Sequence, residues 1–212
     1  PNRLDLIALP LVIGMLLIIG HASRQMAVPF HLGETVALSL KPADLPEYAL
    51  YTVLRMLAAL VASTVFTLIY AWIAANNRYA EKIMVPLLDV LQSVPILGYL
   101  SITVTGFIAL FPGSMLGLQF AVIFAVFTSQ AWNMTFSLYQ SLKTVPRDLT
   151  EAATLYRLGA WQRFWKLELP YAAPGLLWNA MMSMSGGWFF VVAAEALTVA
   201  GQQVSVPAIA SE

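Results

Sequence analysis

The sequence predicts an all-α polytopic membrane protein. Three observations carry that prediction: hydrophobic residues make up 59% of the chain, charged residues only 10%, and the mean hydropathy is +0.75. Soluble domains carry roughly a quarter charged residues, so this composition fits a chain whose solvent is lipid. The 212 residues are therefore counted in spans of about 20 residues each rather than in soluble domains. The formal net charge is zero, which gives no electrostatic footprint for nucleic acid. The absence of cysteine excludes disulfides, thiolate metal sites and cysteine nucleophiles together. A phosphate-cradling glycine loop with lysine, HExxH and GxSxG are also missing, so no catalytic residue, cofactor or metal is expected, and any energy must be consumed by another subunit.

The uncharged run Leu6 to Gly20, preceded by Arg3, reads as the apolar region of a signal peptide or as a first span over about residues 4–22. The span is favoured, because no small-residue cleavage pattern follows from Ser23 and further spans do. Residues 23–46 are mixed and proline-punctuated and read as an external loop, in which His31, like His21 just before it, is a solvated residue without metal-ligand spacing. A second span covers about 47–75, with Arg55 expected to snorkel to the outer interface. After the short turn Asn76 to Lys82, a third span is expected over 84–110. Pro86 and Pro95 should bend or interrupt it, since proline lacks the amide hydrogen and crowds the preceding turn. Such a bend either lines a pathway or only improves packing. Phe111-Pro112-Gly113-Ser114 breaks the long uncharged run, giving a fourth span over 115–140, and a fifth follows over 174–200. The chain begins at Pro1 without methionine and stops at Glu212 just after a turn-like VPAIAS, which predicts a segment of a longer protein.

Orientation follows from the cations. With the amino end in the cytoplasm, the inner segments hold Arg3, Arg78, Lys82, Lys143, Arg147, Arg157, Arg163 and Lys166, whereas the outer loops hold only Arg24 and Lys41. Residues 141–173 are then a cytoplasmic loop.

That loop contains the longest run of repeated charges, EAATLYRLGAWQRFWKLELP from Glu151 to Pro170. Its local pattern reads as two short helices joined by a turn. Asp148 can cap the first with Glu151 three residues on, Gly159 can supply a left-handed turn, and Pro170 stops the second. Leu149, Ala152, Ala153 and Tyr156 fall on one face of the first helix, made flat by the adjacent alanines, while Trp161, Phe164 and Trp165 give the second its bulk. Such a surface either meets another protein or lies on lipid.

Within the spans, Asp89 and Glu195 are the acids nearest lipid depth, where a charge costs on the order of 3 kcal/mol and wants a partner, water or a proton. Asp89 is expected near the cytoplasmic end of its span. Glu195 serves a structural pair, a protonated packing role or a pathway. Ser183, Ser185, Gly186 and Gly187 form a small-residue strip suited to close helix packing. Trp132, Trp178 and Trp188 read as interface or core aromatics.

Taken together, the residues Glu151-Ala152-Ala153, Gly159, Trp161, Phe164, Leu169-Pro170 and Pro174, then Trp188 with Ala193-Ala194-Glu195, resemble the EAA loop and following span of permease subunits of binding-protein-dependent ABC importers. The nitrate, sulfonate, taurine and bicarbonate group is the nearest in pattern. Upstream, PLLDVLQSVPILGYL, with Pro95 at its centre, is similar to the proline-containing segment that opens the family's core, so the resemblance covers about residues 50–200. The family's pattern of EAA, three residues and glycine would put that glycine at Arg157, whereas here it stands at 159. The family usually has six spans, which implies that a sixth lies beyond this chain.

The resemblance implies a type I ABC importer permease core in a bacterial inner membrane, surrounded by membrane lipid. It implies a second permease subunit, by default identical, sharing the pathway, cytoplasmic ABC ATPase subunits, and an external solute-binding protein. Glu151, Ala152, Ala153, Gly159, Trp161, Leu169 and Pro170 would couple to the ATPase, and Asp89, Pro95, Gly186, Gly187, Trp188 and Glu195 are candidate pathway or packing residues. The implied solutes are small oxyanions, although no arginine or lysine reads as deep in a span. Two other classes stay open on the sequence: an ion-coupled secondary carrier using Glu195 and Asp89, and a membrane scaffold whose basic hairpin only recruits partners.

Overall fold

The computed structural model describes residues 13, 14, 17, 20, 45–112, 114–195, 198, 199, 202 and 203. Most of the expected first span and nearly all of the 23–46 loop thus lie outside the described residues. From residue 45 on, the described residues form seven α-helices in order: α1 (Leu45–Asn76), α2 (Arg78–Ser93), α3 (Ile96–Leu110), α4 (Leu116–Lys143), α5 (Arg147–Leu155), α6 (Ala160–Arg163) and α7 (Leu169–Glu195). A π turn, Phe164–Glu168, joins α6 to α7, and a two-stranded ladder pairs Thr198 with Gln203 and Val199 with Gln202.

At 32 residues, α1 is about 48 Å long, against a hydrocarbon core of about 30 Å. It is the one described helix that is both long and apolar enough to cross a membrane by length and composition. Helices α4 and α7 have 28 and 27 residues, enough in length alone. The expected third span is two helices rather than one. Helix α2 runs through Pro86 and stops at Ser93, and Val94 is extended (φ −74, ψ 122), as the residue before a proline prefers to be. The turn expected over residues 76–82 shrinks to Asn77, whose side chain accepts the amides of Tyr79 (2.9 Å) and Ala80 (3.3 Å) and restarts the chain as α2 at once.

Two compact units divide the chain. One comprises Met56–Tyr99 and Phe124–Val191. Its core joins α1, α4 and α7 through Ala71, Met134, Leu138, Ala172 and Leu176, flanked by Leu60, Leu68, Leu142 and Ala180. Polar side chains are threaded through this apolar packing. The Thr67 and Thr135 hydroxyls lie 3.0 Å apart, Ser63 donates to the Phe127 carbonyl (3.3 Å), and Asn179 donates to Ser137 Oγ (2.9 Å). Interhelical hydrogen bonds of this kind are worth about 0.6 kcal/mol each in a bilayer, so they align helices more than they bind them. Gln130, fully buried, reaches the Met184 sulfur at 3.4 Å. A Cβ added at Gly187 would meet the Gln130 amide nitrogen at 3.0 Å, which shows how closely α7 approaches α4 there.

The second unit comprises Pro1–Arg55, Leu100–Ile123 and Val192–Glu212. In it α3 and α4 meet with almost no side chain between them. A Cβ at Gly117 would sit 2.7 Å from the Phe107 carbonyl oxygen and 2.9 Å from the Ile108 Cα. Phe111 stacks on Phe120 beside that crossing, at a ring separation of 5.4 Å. Arg55 overturns an expectation: it does not reach for an interface but is 1% exposed, its Nε–H donating to Gln119 Oε1. A guanidinium satisfied from within the protein has no need of interfacial water.

Candidate functional site

The segment between α4 and α7 forms the helical hairpin that the charge pattern singles out. It differs from the expected hairpin at each of its three joints. Helix α5 starts behind Pro146 (φ −56, ψ 141) with no side-chain cap, so Asp148 sits in the first turn facing the helix dipole instead of capping it. The left-handed residue that ends α5 is Arg157 (φ 50), not Gly159. Around it the amide of Arg157 bonds the Thr154 carbonyl and the amide of Leu158 bonds the Ala153 carbonyl, each at 3.0 Å, which is the double bond pattern of a Schellman cap. Gly159 is extended (φ −65, ψ 160) and opens α6. The left-handed residue thus stands at 157, the position where the resemblance implies a glycine.

Pro170 does not stop the second helix either, since α7 begins at Leu169 and continues through both Pro170 and Pro174. In an α-helix the Pro170 ring would press on the Lys166 carbonyl. The wider π turn, in which the Leu169 amide reaches the Phe164 carbonyl, relieves that crowding.

Which face of α5 looks outward also differs from the alanine stripe. Ala153 is buried and Ala152 half-buried, whereas Thr150, Glu151, Thr154, Leu155 and Arg163 line an open groove of about 480 Å³. Leu155 on that lining and Tyr156 beside it are 84% and 80% exposed. Trp161 is also exposed, while Phe164 is buried and packs edge-on to Trp72 of α1 at 6.3 Å. At the far end of the π turn, Glu168 is 5% exposed, with Oε1 2.6 Å from Arg163 Nε. That nitrogen makes no aligned hydrogen bond, so the contact is ionic rather than directional. On the other flank, Glu81 of α2 accepts from Lys143 Nζ (2.8 Å) and from the Tyr139 hydroxyl, and these two bonds hold its carboxyl below the ordinary carboxylate range.

The remaining candidates are scattered. Asp89 is exposed on α2 and accepts from Gln92 Nε2 (3.2 Å). Pro95 is exposed at the α2–α3 break. Gly187 makes the close contact described above, while a Cβ at Gly186 would meet nothing within 4 Å. Trp178 and Trp188 are 64% and 48% exposed, and Trp132 packs on Phe66. Glu195 is the last residue of α7, and its side chain lies outside the described residues. Among the described side chains, no second acid is brought to Asp89. Arg157, Arg163, Glu168 and Leu155 were not singled out by the sequence pattern. A hint lay in Arg157 occupying the family's glycine position, and another in Glu168 standing alone among aromatic and aliphatic neighbours.

Among the described residues, one helix is long and apolar enough to cross a membrane, and a hairpin with large exposed side chains extends the helical core. The chain belongs to the family described as binding-protein-dependent transport system inner membrane component, whose model matches residues 71–211. It is 27% identical over 113 residues to the nitrate import permease protein NrtB of Leptolyngbya laminosa, an alignment covering 53% of this chain and 38% of that protein. It is 28% identical over 149 residues to the glycine betaine/carnitine transport permease protein GbuB of Listeria monocytogenes serotype 1/2a (strain 10403S), covering 70% and 49%. To the bicarbonate transport system permease protein CmpB of Synechococcus elongatus it is 23% identical over 119 residues, covering 56% and 40%. The matched chain thus spans less than half the length of each of these relatives.

Proposed function

We propose that this chain is the transmembrane permease subunit of an ATP-driven ABC importer, a non-enzymatic part that forms the solute pathway with a second, identical permease. The α5–α6 hairpin faces the cytoplasm and docks an ABC ATPase subunit, and an external binding protein delivers the solute. The chain crosses the inner membrane several times with its amino end inside; five of its spans lie in this sequence. The solute is a small oxyanion-bearing molecule: two of the relatives are named for nitrate and bicarbonate, and the third for glycine betaine and carnitine.

The observation that carries the coupling role is the groove lined by Thr150, Glu151, Thr154, Leu155 and Arg163, open beside two large exposed side chains in a family member. Its lining of Glu151, Arg163 and the exposed Leu155 suits a partner surface that is partly charged and partly apolar. Glu151→Lys and Leu155→Asp both change exposed positions, so neither should disturb insertion. Each is expected to reach the membrane at the normal level, to lose co-purification of the ATPase and to abolish uptake of labelled nitrate, bicarbonate, taurine or glycine betaine. Full ATPase retention and uptake in both variants would refute the docking role. Uptake sustained by an ion gradient after ATP depletion would refute the importer reading itself.

A further inference from the structure

Arg163 takes part in two structures. Its side chain lines the hairpin groove, and its Nε lies 2.6 Å from a carboxylate oxygen of Glu168, which is almost wholly buried. Residues five apart stand about 140° from each other around an α-helix of 3.6 residues per turn, which is too far for an ion pair. The π turn Phe164–Glu168 closes that gap, because bonding between residues five apart brings them one above the other. The ion pair therefore depends on the wide turn. A π turn has fewer well-placed backbone bonds than an α turn, and Pro170 and Pro174, immediately beyond it, each remove another. Left to its backbone alone, the junction between hairpin and α7 is the softest point in the segment.

We propose that Arg163 and Glu168 are positioning residues that brace this junction, so that displacement of the hairpin turns α7 as one body instead of being absorbed at the π turn. The proposal rests on the groove being where the ATPase docks. Arg163 suits the role because it belongs to the groove wall and to the brace together, so an occupant of the groove presses directly on the residue that stiffens the joint. Glu168 suits it because a buried carboxylate has no water to turn to and holds its counter-charge firmly.

The test uses the full-length chain, which contains no cysteine over these 212 residues and so accepts paired spin labels on Leu155→Cys and Met181→Cys, exposed positions on either side of the joint. In nanodiscs, without ATPase, the unsubstituted chain should give a narrow distance distribution. Glu168→Gln and Arg163→Gln should broaden it, Arg163→Lys should keep it narrow, and the exchanged pair R163E/E168R should narrow it again. In the assembled transporter, Glu168→Gln, which lies outside the groove lining, should still co-purify with the ATPase and hydrolyse ATP, yet import roughly tenfold less solute per ATP. Equal distributions in both glutamine variants overturn the brace, as does broadening without loss of uptake per ATP, or an exchanged pair no narrower than the single variants. Should Glu168→Gln not reach the membrane, the Arg163→Gln and Arg163→Lys comparison decides, because that side chain is partly exposed. If the distances behave as expected but no ATPase binds the unsubstituted chain, the docking reading falls and the brace stands.

Discussion

Replacing Arg157 with glycine should stabilise the hairpin, against the usual sign of a substitution. Arg157 is the one non-glycine residue with positive φ among the described residues, at φ 50. An L-residue in that region costs roughly 1–2 kcal/mol because Cβ crowds the following carbonyl. Glycine escapes that cost but loses roughly 0.5–1 kcal/mol more chain freedom on folding. The difference leaves about 0.5–1 kcal/mol in favour of glycine. Both Schellman bonds use backbone atoms only and survive the change. Arg157→Ala is the matching control, since it removes the charge and keeps Cβ. Amide hydrogen exchange reads the effect where it acts, at positions 157 and 158, whose N–H groups are held by the Thr154 and Ala153 carbonyls. In Arg157→Gly these amides should exchange about two- to fivefold more slowly than in the unsubstituted chain. In Arg157→Ala they should gain no protection. Exchange in the glycine variant as fast as in the alanine variant would refute the strain argument, because only Cβ separates the two.

Gly186→Ala should raise thermal stability in detergent by up to about 1 kcal/mol through helix propensity alone, since its Cβ enters open space. Gly187→Ala should fall below it by about 1 kcal/mol, because its Cβ must displace the buried Gln130 amide; the reverse order would contradict the packing described. The carboxyl of Glu81, held below its ordinary 4.5 chiefly by the Lys143 hydrogen bond and then by that from Tyr139, contributes stability that is present above 4.5. That contribution is lost as pH falls from there through the lowered folded-state value. Chemical-denaturant unfolding should therefore show Glu81→Gln less stable than the unsubstituted chain at pH 7, with the deficit shrinking as the pH is lowered below 4.5.

What could be read in advance is what depends on neighbours along the chain. The bounds of α1, the break at Pro95 and the placing of a charged hairpin after α4 all follow from apolar runs, missing amide hydrogens and charge position, and each is visible in a short window. Arg55 shows where such reading stops. Its sequence neighbourhood reads as a span's edge, whereas Gln119, which accepts from its Nε–H in the buried interior, stands 64 positions away. Glu168 and Arg163 show a second limit: five apart, they look unrelated until a turn of unusual width aligns them. Glycine adopts a left-handed turn most cheaply, so the sequence points to Gly159. The backbone instead kept the turn at Arg157, where two carbonyls of α5 need their partners.

The crossing at Gly117 carries a mechanical consequence. Where side chains separate two helices, small rotamer changes let one slide over the other; where Cα faces carbonyl, there is no lubricating layer to rearrange. The end of α3 and the start of α4 therefore behave as a weld. Any side chain added at Gly117 would have to part the two backbones there.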